Sequence, residues 1–409
     1  MHTSNRNWVS ILSLPLLACL PLACASEAGE STNPAPTAAD RVADSVALSQ
    51  VVQYASKRTC SDVAVAGEAT CFARIRTSVT GAIEPLATQS GWGPADLLSA
   101  YNVPSSTSTA TIAIVDAQDD PNAEADLGVY RSNYGLSACT TANGCFKKVN
   151  QTGGTSYPAA STNWAPEIAL DIEMASAACP TCKILLVEAT SASFANLAAA
   201  VNEAATLGAT VISNSYGGGE SSSETTFDAS YNHAGVAVFA STGDSGYGTS
   251  YPATGKGVIG VGGTTLAKST STRGWAETVW NGAGSGCSSV EAKPTWQTDT
   301  GCTRRTVGDL SAVADPNTGV AVYDSYASGG WAVYGGTSVA SPLVASIFAS
   351  IGKGSKDGSF VWSNTGDFYD VTSGSNGSCS GSYLCTGIVG FDGPTGWGTP
   401  NATALAAAP

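Results

Sequence analysis

A glycine-flanked serine at the start of an apolar helix is the first candidate for chemistry in this chain. Gly335, Gly336 and Thr337 lead into Ser338, and the apolar positions that follow, up to Ile351, predict a buried helix whose N-terminus points at the serine. Free backbone amides and the positive end of the helix dipole at such a terminus can stabilise an oxyanion. Ser338 is therefore a candidate nucleophile.

Imidazole groups that could activate such a serine are almost missing from the sequence. Of the two histidines, His2 lies in an apparent removable leader, and His233 stands at the predicted end of a helix. That position suits a capping or solvent-facing histidine, so a histidine-dependent mechanism is the less favoured alternative. The expected base is a carboxylate, and a carboxylate base works best in mildly acidic solution.

Two acids four residues apart are the second candidate. Glu167 and Asp171 follow Pro166, which is tolerated in the first turn of a helix, so both side chains project from one helix face. Apolar neighbours leave this helix little solvent-facing surface, and a buried carboxylate pair commonly shares one proton. The alternative is a partly exposed acidic helix start favoured by the helix dipole, and this segment alone does not decide between the two.

A third acid, Asp244, lies in a glycine-rich loop between Thr242 and Gly246, directly after an apolar run. In isolation, the ordinary role of such an acid is to form a turn or to cap a helix. The position of Asp244 after an apolar run indicates a functional role only if that run is a strand of the sheet that also positions Ser338 and the acid pair.

Short apolar runs with few charges alternate with helical stretches from about residue 90 onward. Strands are predicted at 111–115, 183–187, 210–215, 236–240 and 258–261, and helices at 194–207 and 226–234. This alternation predicts a parallel sheet with helices on both faces. Ligand sites in such sheets form beyond the carboxyl ends of the strands, and Asp116, Tyr216 and Asp244 lie at or just past such ends.

Composition restricts the class of protein. The chain has 409 residues, 43% of them hydrophobic and only 12% charged, which predicts one large globular domain with a small appendage. A net charge of −14 argues against nucleic acid or an anionic membrane as a partner, because both require clusters of lysine and arginine. No stretch after the N-terminal leader is long enough for a transmembrane segment.

The N-terminus has the pattern of an export signal. Arg6 precedes an apolar run from Trp8 to about Ala23, and Ala23-Cys24-Ala25 fits a small-x-small cleavage site, which predicts a signal peptide at 1–25 and a secreted protein. Leu16-Leu17-Ala18-Cys19 is similar to a lipobox, so lipid anchoring through Cys19 or Cys24 is the alternative.

Ten cysteines remain beyond the leader, and they fall as near neighbours in the sequence. Five local disulfides are the economical prediction for an exported chain: Cys60/Cys71, Cys139/Cys145, Cys179/Cys182, Cys287/Cys302 and Cys379/Cys385. Cys179-Pro180-Thr181-Cys182 could also suggest a redox pair or half of a zinc site. Without a second such motif or a nearby histidine, a structural staple after a helix is the favoured interpretation.

These motifs together resemble the sedolisin family of serine-carboxyl peptidases. The resemblance rests on Gly-Thr-Ser-x-x-x-Pro around Ser338, Glu-x-x-x-Asp at Glu167 and Asp171, and Gly-Asp-Ser-Gly around Asp244, and it runs from about Trp92 to the C-terminus. It implies a subtilisin-like α/β fold with a parallel sheet of about seven strands and helices on both faces. It further implies a catalytic domain at 89–409, preceded by a linker and short prosegment at 26–88.

The resemblance also implies a role for each acid. Ser338 would be the nucleophile, Glu167 its general base, Asp171 the partner that orients the base, and Asp244 the donor to the oxyanion. The expected activity is hydrolysis of proteins or peptides at acidic pH through an acyl-enzyme, by an expected monomer. An ordinary glutamate has a pKa of about 4.3, which suits a base in acid, and Asp244 could donate only while protonated. A non-catalytic binding protein that keeps the fold is the alternative.

One structural Ca²⁺ ion is implied near the C-terminus. Asp370 and Asp392 would bind it through their side chains, and Val371, Ile388 and Gly390 through their carbonyl oxygens, a donor set that suits a hard cation.

The sequence departs from the family pattern in three places. Tyr216 stands where tryptophan is frequent, and Asp116 stands where glutamate often extends the catalytic hydrogen-bond network, so both are candidate supporting residues. The prosegment is much shorter than usual, which leaves open whether it chaperones folding or inhibits the enzyme.

Overall fold

The computed structural model describes residues 33–61, 67–83, 86 and 88–409. The predicted signal peptide, with Cys19 and Cys24, lies outside the described residues, as does the beginning of the predicted linker. All described residues belong to one unit of structure. None of its helices has the length and apolar character needed to cross a bilayer.

The helices alternate with strands along most of the chain. The α-helices are α1 Ala38–Ser49, α2 Pro94–Ala100, α3 Ala123–Asn133, α4 Ala165–Ala178, α5 Phe194–Thr206, α6 Thr337–Ser350, α7 Gly358–Ser363 and α8 Ala402–Ala407. The first nine strands are β1 Ala55–Arg58, β2 Thr70–Cys71, β3 Arg74–Thr77, β4 Thr111–Ala117, β5 Phe146–Asn150, β6 Lys183–Ala189, β7 Val211–Asn214, β8 Tyr216–Gly217 and β9 Ala237–Ser241. The remaining strands are β10 Ile259–Lys268, β11 Trp275–Val279, β12 Gly286–Ala292, β13 Arg304–Val307, β14 Leu310–Val313, β15 Val320–Asp324, β16 Gly330–Gly335, β17 Phe368–Tyr369 and β18 Thr399–Pro400.

An eight-stranded sheet forms the centre of the fold, in the order β11-β10-β9-β7-β4-β6-β5, with β14 also paired to β10. Seven of these strands run parallel, and only β11 is antiparallel. This arrangement confirms the predicted subtilisin-like architecture. Crossover helices connect the parallel strands because a strand that returns in the same direction needs a long connection.

The two faces of the sheet bury different helices. Along β4, Ile112 and Ile114 belong to the core shared with α4 and α6, whereas Ala113 and Val115 belong to the core shared with α5. Side chains alternate between the faces of a strand, so a strand covered on both sides must be apolar at every position. The unbroken apolar runs of the sequence have this physical origin.

A smaller antiparallel sheet lies beside the central one, in the order β1-β3-β16-β15. It joins two strands from the predicted prosegment region to the strand that ends at Gly335, shortly before Ser338. No pattern in the sequence predicted this sheet.

All five disulfides form between the predicted near neighbours. Cys179 follows the last residue of α4 and bonds to Cys182 just before β6, which confirms a staple between a helix and the next strand.

The predicted helix at 226–234 is wrong. That stretch contains two short 3₁₀-helices, Glu224–Thr226 and Asp228–Tyr231, and no α-helix. β-branched Thr225 and Thr226 together with Gly235 favour helix formation weakly, so tertiary packing decided the local conformation here.

A fully buried ion pair connects β13 to the turn before β14. The guanidinium of Arg305 contacts both carboxylate oxygens of Asp309, which also accepts hydrogen bonds from the Gly260 amide at 2.8 Å and the Trp362 indole at 3.0 Å. The carboxylate therefore links the central sheet to α7.

We predict that Asp309→Ala lowers the free energy of unfolding by about 3–5 kcal/mol, because it leaves the Arg305 charge buried and unpaired. Urea unfolding followed by fluorescence measures the change. Lys256→Ala is the control, since Lys256 is exposed and lies 4.0 Å from Asp228, so its loss should cost less than about 1 kcal/mol. Equal effects of the two substitutions would contradict the prediction.

Candidate active site

Ser338 lies in the first turn of α6, directly after a glycine that the backbone requires. Gly336 has φ of +97°, a region that side chains rarely adopt. A Cβ atom at this position would also lie only 2.0 Å from the carbonyl oxygen of Phe72. Glycine therefore permits both the turn that presents the serine and the close approach of another strand.

A reciprocal contact with the loop after β7 holds the serine in place. The Ser338 hydroxyl donates to the Ser215 carbonyl at 3.3 Å, and the Ser215 hydroxyl donates to the Ser338 carbonyl at 3.4 Å. Pro342, four residues after Ser338, has no N–H to donate to that carbonyl. The proline of the Gly-Thr-Ser-x-x-x-Pro motif thus leaves an acceptor that Ser215 satisfies.

Glu167 and Asp171 project from one face of α4, a helix that is buried along its whole length. The Glu167 carboxyl lies close enough to the Ser338 hydroxyl and to the Asp171 carboxyl for both to lower its pKa, and its Oε2 accepts the Ala73 amide at 2.7 Å. Its Oε1 and both oxygens of Asp171 have no hydrogen-bond partner among the described residues. Burial raises the pKa of both carboxyls well above their ordinary values, and the nearby Asp116 carboxyl raises them further. The structure therefore brings these two acids together with Ser338, and the pair retains a proton in mild acid.

Asp116 lies at the carboxyl end of β4 and is completely buried. Burial raises the pKa of its carboxyl to about 8, and neither of its oxygens has a hydrogen-bond partner among the described residues. Three neighbouring carboxyls at one point favour shared protons, because each ionised group disfavours the next.

Tyr216 packs beside this group, but its hydroxyl is directed elsewhere. It donates to the Asn214 side chain at 2.8 Å and meets the Tyr231 hydroxyl at 3.2 Å. Its ring lies 6.4 Å from the ring of Trp164, the residue before α4. A supporting role for Tyr216 in the network stays a prediction.

Asp244 approaches the serine turn from the loop after β9. Its Oδ1 accepts hydrogen bonds from the amide and the hydroxyl of Thr337, at 2.8 and 2.9 Å. Oδ2 has no partner among the described residues, and a Cβ atom at Gly336 would lie 2.7 Å from it. Burial raises the pKa of Asp244 to about 6, against the opposing effects of the Thr337 hydrogen bonds and of Arg74 and Arg58. In acid, its free oxygen can carry a proton and act as a donor.

His233 takes no part in this arrangement. Its Nε2 bonds to the Ser230 carbonyl at 2.8 Å, at the end of a 3₁₀-helix, whereas the Ser338 hydroxyl contacts Glu167 and Ser215.

Residues Gly67–Thr77, which we call the covering strand, extend over the serine, and sequence reasoning did not find them. β2 and β3 both belong to this segment, and Ala73 supplies the amide that bonds to Glu167. In the sequence, Cys71 indicated a disulfide in this segment. It did not indicate that the segment contacts residues nearly a hundred positions away.

Four of the five predicted calcium ligands meet in two pairs. The Asp370 carboxylate accepts the Gly390 amide at 2.8 Å, and the Asp392 carboxylate accepts the Ile388 amide at 3.2 Å and the Thr395 amide at 2.9 Å. Burial raises the pKa of Asp392 to about 8, and the charge of Asp370 adds to this effect. Among the described residues, no three acids, histidines or cysteines are grouped to hold a metal. The predicted set contains only two acids and otherwise backbone carbonyls.

Comparison with known proteins agrees with this geometry. The subtilase family matches residues 159–365. Kumamolisin from Bacillus sp. strain MN-32 is 30% identical over 372 residues, which cover 80% of this chain and 66% of kumamolisin, just under two thirds of its length. Sedolisin from Pseudomonas sp. strain 101 is 34% identical over 182 residues, 39% of this chain and 30% of that protein.

A solved structure agrees over nearly its whole length. Pseudomonas sedolisin, described as a serine-carboxyl proteinase in complex with two molecules of pseudo-iodotyrostatin, superposes with a TM-score of 0.67 and 27% identity. The match covers 78% of this chain and 98% of that one. The chain therefore belongs to the subtilase family, and among its members it is similar to kumamolisin and sedolisin.

Proposed function

We propose that this chain is a secreted serine-carboxyl endopeptidase that cleaves proteins at acidic pH through a Ser-Glu-Asp triad. One observation carries the proposal: the buried Glu167 carboxyl lies beside both the Ser338 hydroxyl and the Asp171 carboxyl, close enough for each to shift its pKa. A base must reach the proton it removes, directly or through one water, and Glu167 is the buried carboxyl beside the serine hydroxyl.

In the proposed reaction, Ser338 attacks the substrate carbonyl while Glu167 accepts its proton and later returns it to the leaving amine. Asp171 holds Glu167 and takes part of the proton that the pair shares. Asp244 in its protonated form donates from Oδ2 to the oxyanion, together with the amides at the start of α6. The resulting acyl-enzyme is then hydrolysed by water.

Acidic operation follows from the need to keep the buried Asp244 carboxyl protonated. Glu167 and Asp171 lie where the pKa of each carboxyl is raised, so a single negative charge is shared by the pair, and Asp244 must stay protonated to donate. At neutral pH an ionised Asp244 would repel the oxyanion.

Export and calcium binding belong to the same proposal. Five disulfides support passage through an oxidising compartment, and the predicted signal peptide would direct it. Two carboxylates and backbone carbonyls fit Ca²⁺, and a cation would offset the mutual repulsion of Asp370 and Asp392. The ion would stabilise the C-terminal loops and take no part in the chemistry.

The test of the triad is turnover of an unfolded protein between pH 3 and 6. We expect Ser338→Ala and Glu167→Gln each to reduce kcat/KM by about 10⁴-fold or more, because nucleophile and base act as a unit. Ser346→Ala is the matched control, since Ser346 is a buried serine on the same helix and should leave activity unchanged. Full activity of Glu167→Gln would rule out the triad, and an inactive wild type would favour a binding protein.

The role of Asp244 predicts a specific pH dependence. Activity should fall as pH rises through about 6, because the protonated form is the donor and its pKa is about 6. Asp244→Ala should reduce kcat by about 10²–10³-fold below pH 6, where the wild-type donor is protonated, and by less at higher pH. Asp244→Asn keeps a donor that does not titrate, so its activity should decline less than that of the wild type between pH 5 and 7. Identical pH profiles for Asp244→Asn and the wild type would contradict this role.

Calcium binding predicts a stability that depends on the ion. In Ser338→Ala protein, which cannot digest itself, Ca²⁺ at about 100 times its Kd should raise the free energy of unfolding by about 2.7 kcal/mol over the chelated protein. Asp392→Asn should abolish most of this gain, and Asp367→Asn, a neighbouring acid outside the proposed set, should retain it. Thermal unfolding with and without chelator measures both, and an unchanged Tm on chelation would refute the site.

A further inference from the structure

Thr337 connects the serine turn to the loop that carries Asp244. It is the first residue of α6, directly before Ser338, and it is completely buried. Its amide and its hydroxyl both donate to one carboxylate oxygen, Asp244 Oδ1, at 2.8 and 2.9 Å. The other oxygen, Oδ2, receives neither bond and has no partner among the described residues. The two oxygens of this carboxyl group are therefore in different surroundings.

A further contact fixes the direction in which the Thr337 hydroxyl donates. The Gly243 amide donates to Thr337 Oγ1 at 3.2 Å. A hydroxyl group has one hydrogen to donate and two lone pairs with which to accept, whereas a backbone N–H can only donate. Oγ1 is thus the acceptor in this contact. Its own hydrogen is left for Asp244 Oδ1, the other partner of Oγ1 in the part of the chain that the structure describes.

Both sides of this contact are held by the backbone. Gly243 has φ of +110°, which directs its amide at the threonine, and a Cβ atom there would lie 3.1 Å from Ser250 Oγ. The Thr337 carbonyl accepts the Ser241 hydroxyl at 2.8 Å. The Thr337 methyl group lies 3.4 Å from where a Cβ atom of Gly263 would be, so the side chain packs closely on β10. The threonine consequently has little freedom to rotate.

This hydrogen-bond pattern decides which oxygen of Asp244 carries a proton. A protonated carboxyl group has one O–H donor, and its other oxygen remains an acceptor. If Oδ1 carried the hydrogen, the amide and the hydroxyl of Thr337 would both face a donor and would lose their acceptor. A buried donor without an acceptor is costly. The arrangement therefore places the proton on Oδ2.

Oδ2 lies where it can meet a peptide carbonyl. A Cβ atom at Gly336 would be 2.7 Å from Asp244 Oδ2 and 2.0 Å from the carbonyl oxygen of Phe72, so both oxygens lie beside the same glycine. A proton on Oδ2 is available to an oxygen in this place. A proton on Oδ1 would instead point at Thr337 and would serve no reacting group.

We propose that Thr337 is a positioning residue whose hydroxyl, held by the Gly243 amide, keeps the proton of Asp244 on the oxygen that serves the oxyanion. The inference rests on the proposed peptidase function and deepens the role of Asp244 within it. Thr337 acts through Asp244 and not on the substrate itself.

The same hydroxyl affects the pH range in which Asp244 can donate. Burial raises the pKa of Asp244 to about 6, and the Thr337 amide, Arg74, the Thr337 hydroxyl and Arg58 oppose that rise. The charged groups that face Asp244 are Arg74 from β3 and Arg58 from β1, while α6 contributes only the neutral Thr337. Loss of the hydroxyl removes a bond that favours the ionised carboxylate, so the pKa of Asp244 should rise further.

Thr337→Val tests both consequences, because it removes the hydroxyl and keeps the branched shape. We expect kcat in acid to fall by about 3- to 10-fold with KM unchanged, since only part of the molecules then hold the proton on Oδ2. The midpoint of the decline of kcat with pH should move up by about one pH unit from its wild-type value of about 6. Turnover of an unfolded protein by the full-length chain between pH 4 and 8 measures both effects.

Three further variants distinguish positioning from a general structural effect. Thr337→Ser keeps the hydroxyl and should keep the wild-type midpoint. Thr242→Val is the matched control: Thr242 is also buried, lies two residues before Asp244, and has a hydroxyl without a partner among the described residues. Its kcat and midpoint should stay unchanged. In an Asp244→Asn background, Thr337→Val should not move the pH profile, because the amide does not titrate.

A measurement at the unaltered Thr337–Asp244 pair decides the question even if Thr337→Val does not fold. In a crystal structure of Ser338→Ala protein at atomic resolution and pH 4, the Cγ–Oδ2 bond of Asp244 should be longer than the Cγ–Oδ1 bond. The reason is that a protonated oxygen is joined to carbon by a single bond. Equal lengths, or a longer Cγ–Oδ1 bond, would contradict the inference.

The outcomes separate this inference from the proposed function. A wild-type midpoint in Thr337→Val, or an equally displaced midpoint in Thr337→Ser, overturns the inference and leaves the peptidase activity standing. A wild type that turns over no unfolded protein overturns the proposed function, and the two bond lengths of Asp244 then still decide where the proton lies.

Discussion

The burial of carboxyl groups around one hydroxyl is the constraint on which the rest of the structure depends. In water, the carboxyls of Glu167 and Asp171 would keep pKa values near their ordinary ones. Each would then ionise independently, without sharing a proton. Packing α4 against α6 removes the water, and Asp116 adds a third carboxyl. The acids are then forced into a shared-proton arrangement, because each ionised carboxyl disfavours ionisation of the next.

Backbone amides and carbonyls form hydrogen bonds with these buried side chains and so offset the cost of removing them from water. The Ala73 amide bonds to Glu167, the Thr337 amide bonds to Asp244, and the Ser215 carbonyl accepts the serine hydroxyl. Two of these groups come from the ends of strands or helices, where backbone donors and acceptors are not used by regular pairing. The third, from Ala73, belongs to the covering strand, so the site in its closed form is complete only while that strand is in place.

Much of the fold could be predicted because it follows from local patterns. Strands buried on both faces need unbroken apolar runs, and such runs at 111–115 and 183–187 became β4 and β6 with ends displaced by a few residues. Near-neighbour disulfides were predictable for the same local reason. The helix expected at 226–234 was wrong, and the sheet of β1, β3, β15 and β16 was missed, because short polar strands carry no strong periodicity and depend on distant partners.

The sequence by itself determined the types and local spacing of the reactive groups: a serine after a glycine turn, two acids one helical turn apart, and a third acid after a strand. These features are readable because they depend on neighbours within a few residues. Only the tertiary structure decided that Asp116 joins the acid pair, that Oδ2 of Asp244 is left without a partner, and that Phe72 and Ala73 lie across the serine. These contacts join residues about fifty to more than two hundred and fifty positions apart, and the packing of whole elements, rather than any local pattern, brings them together.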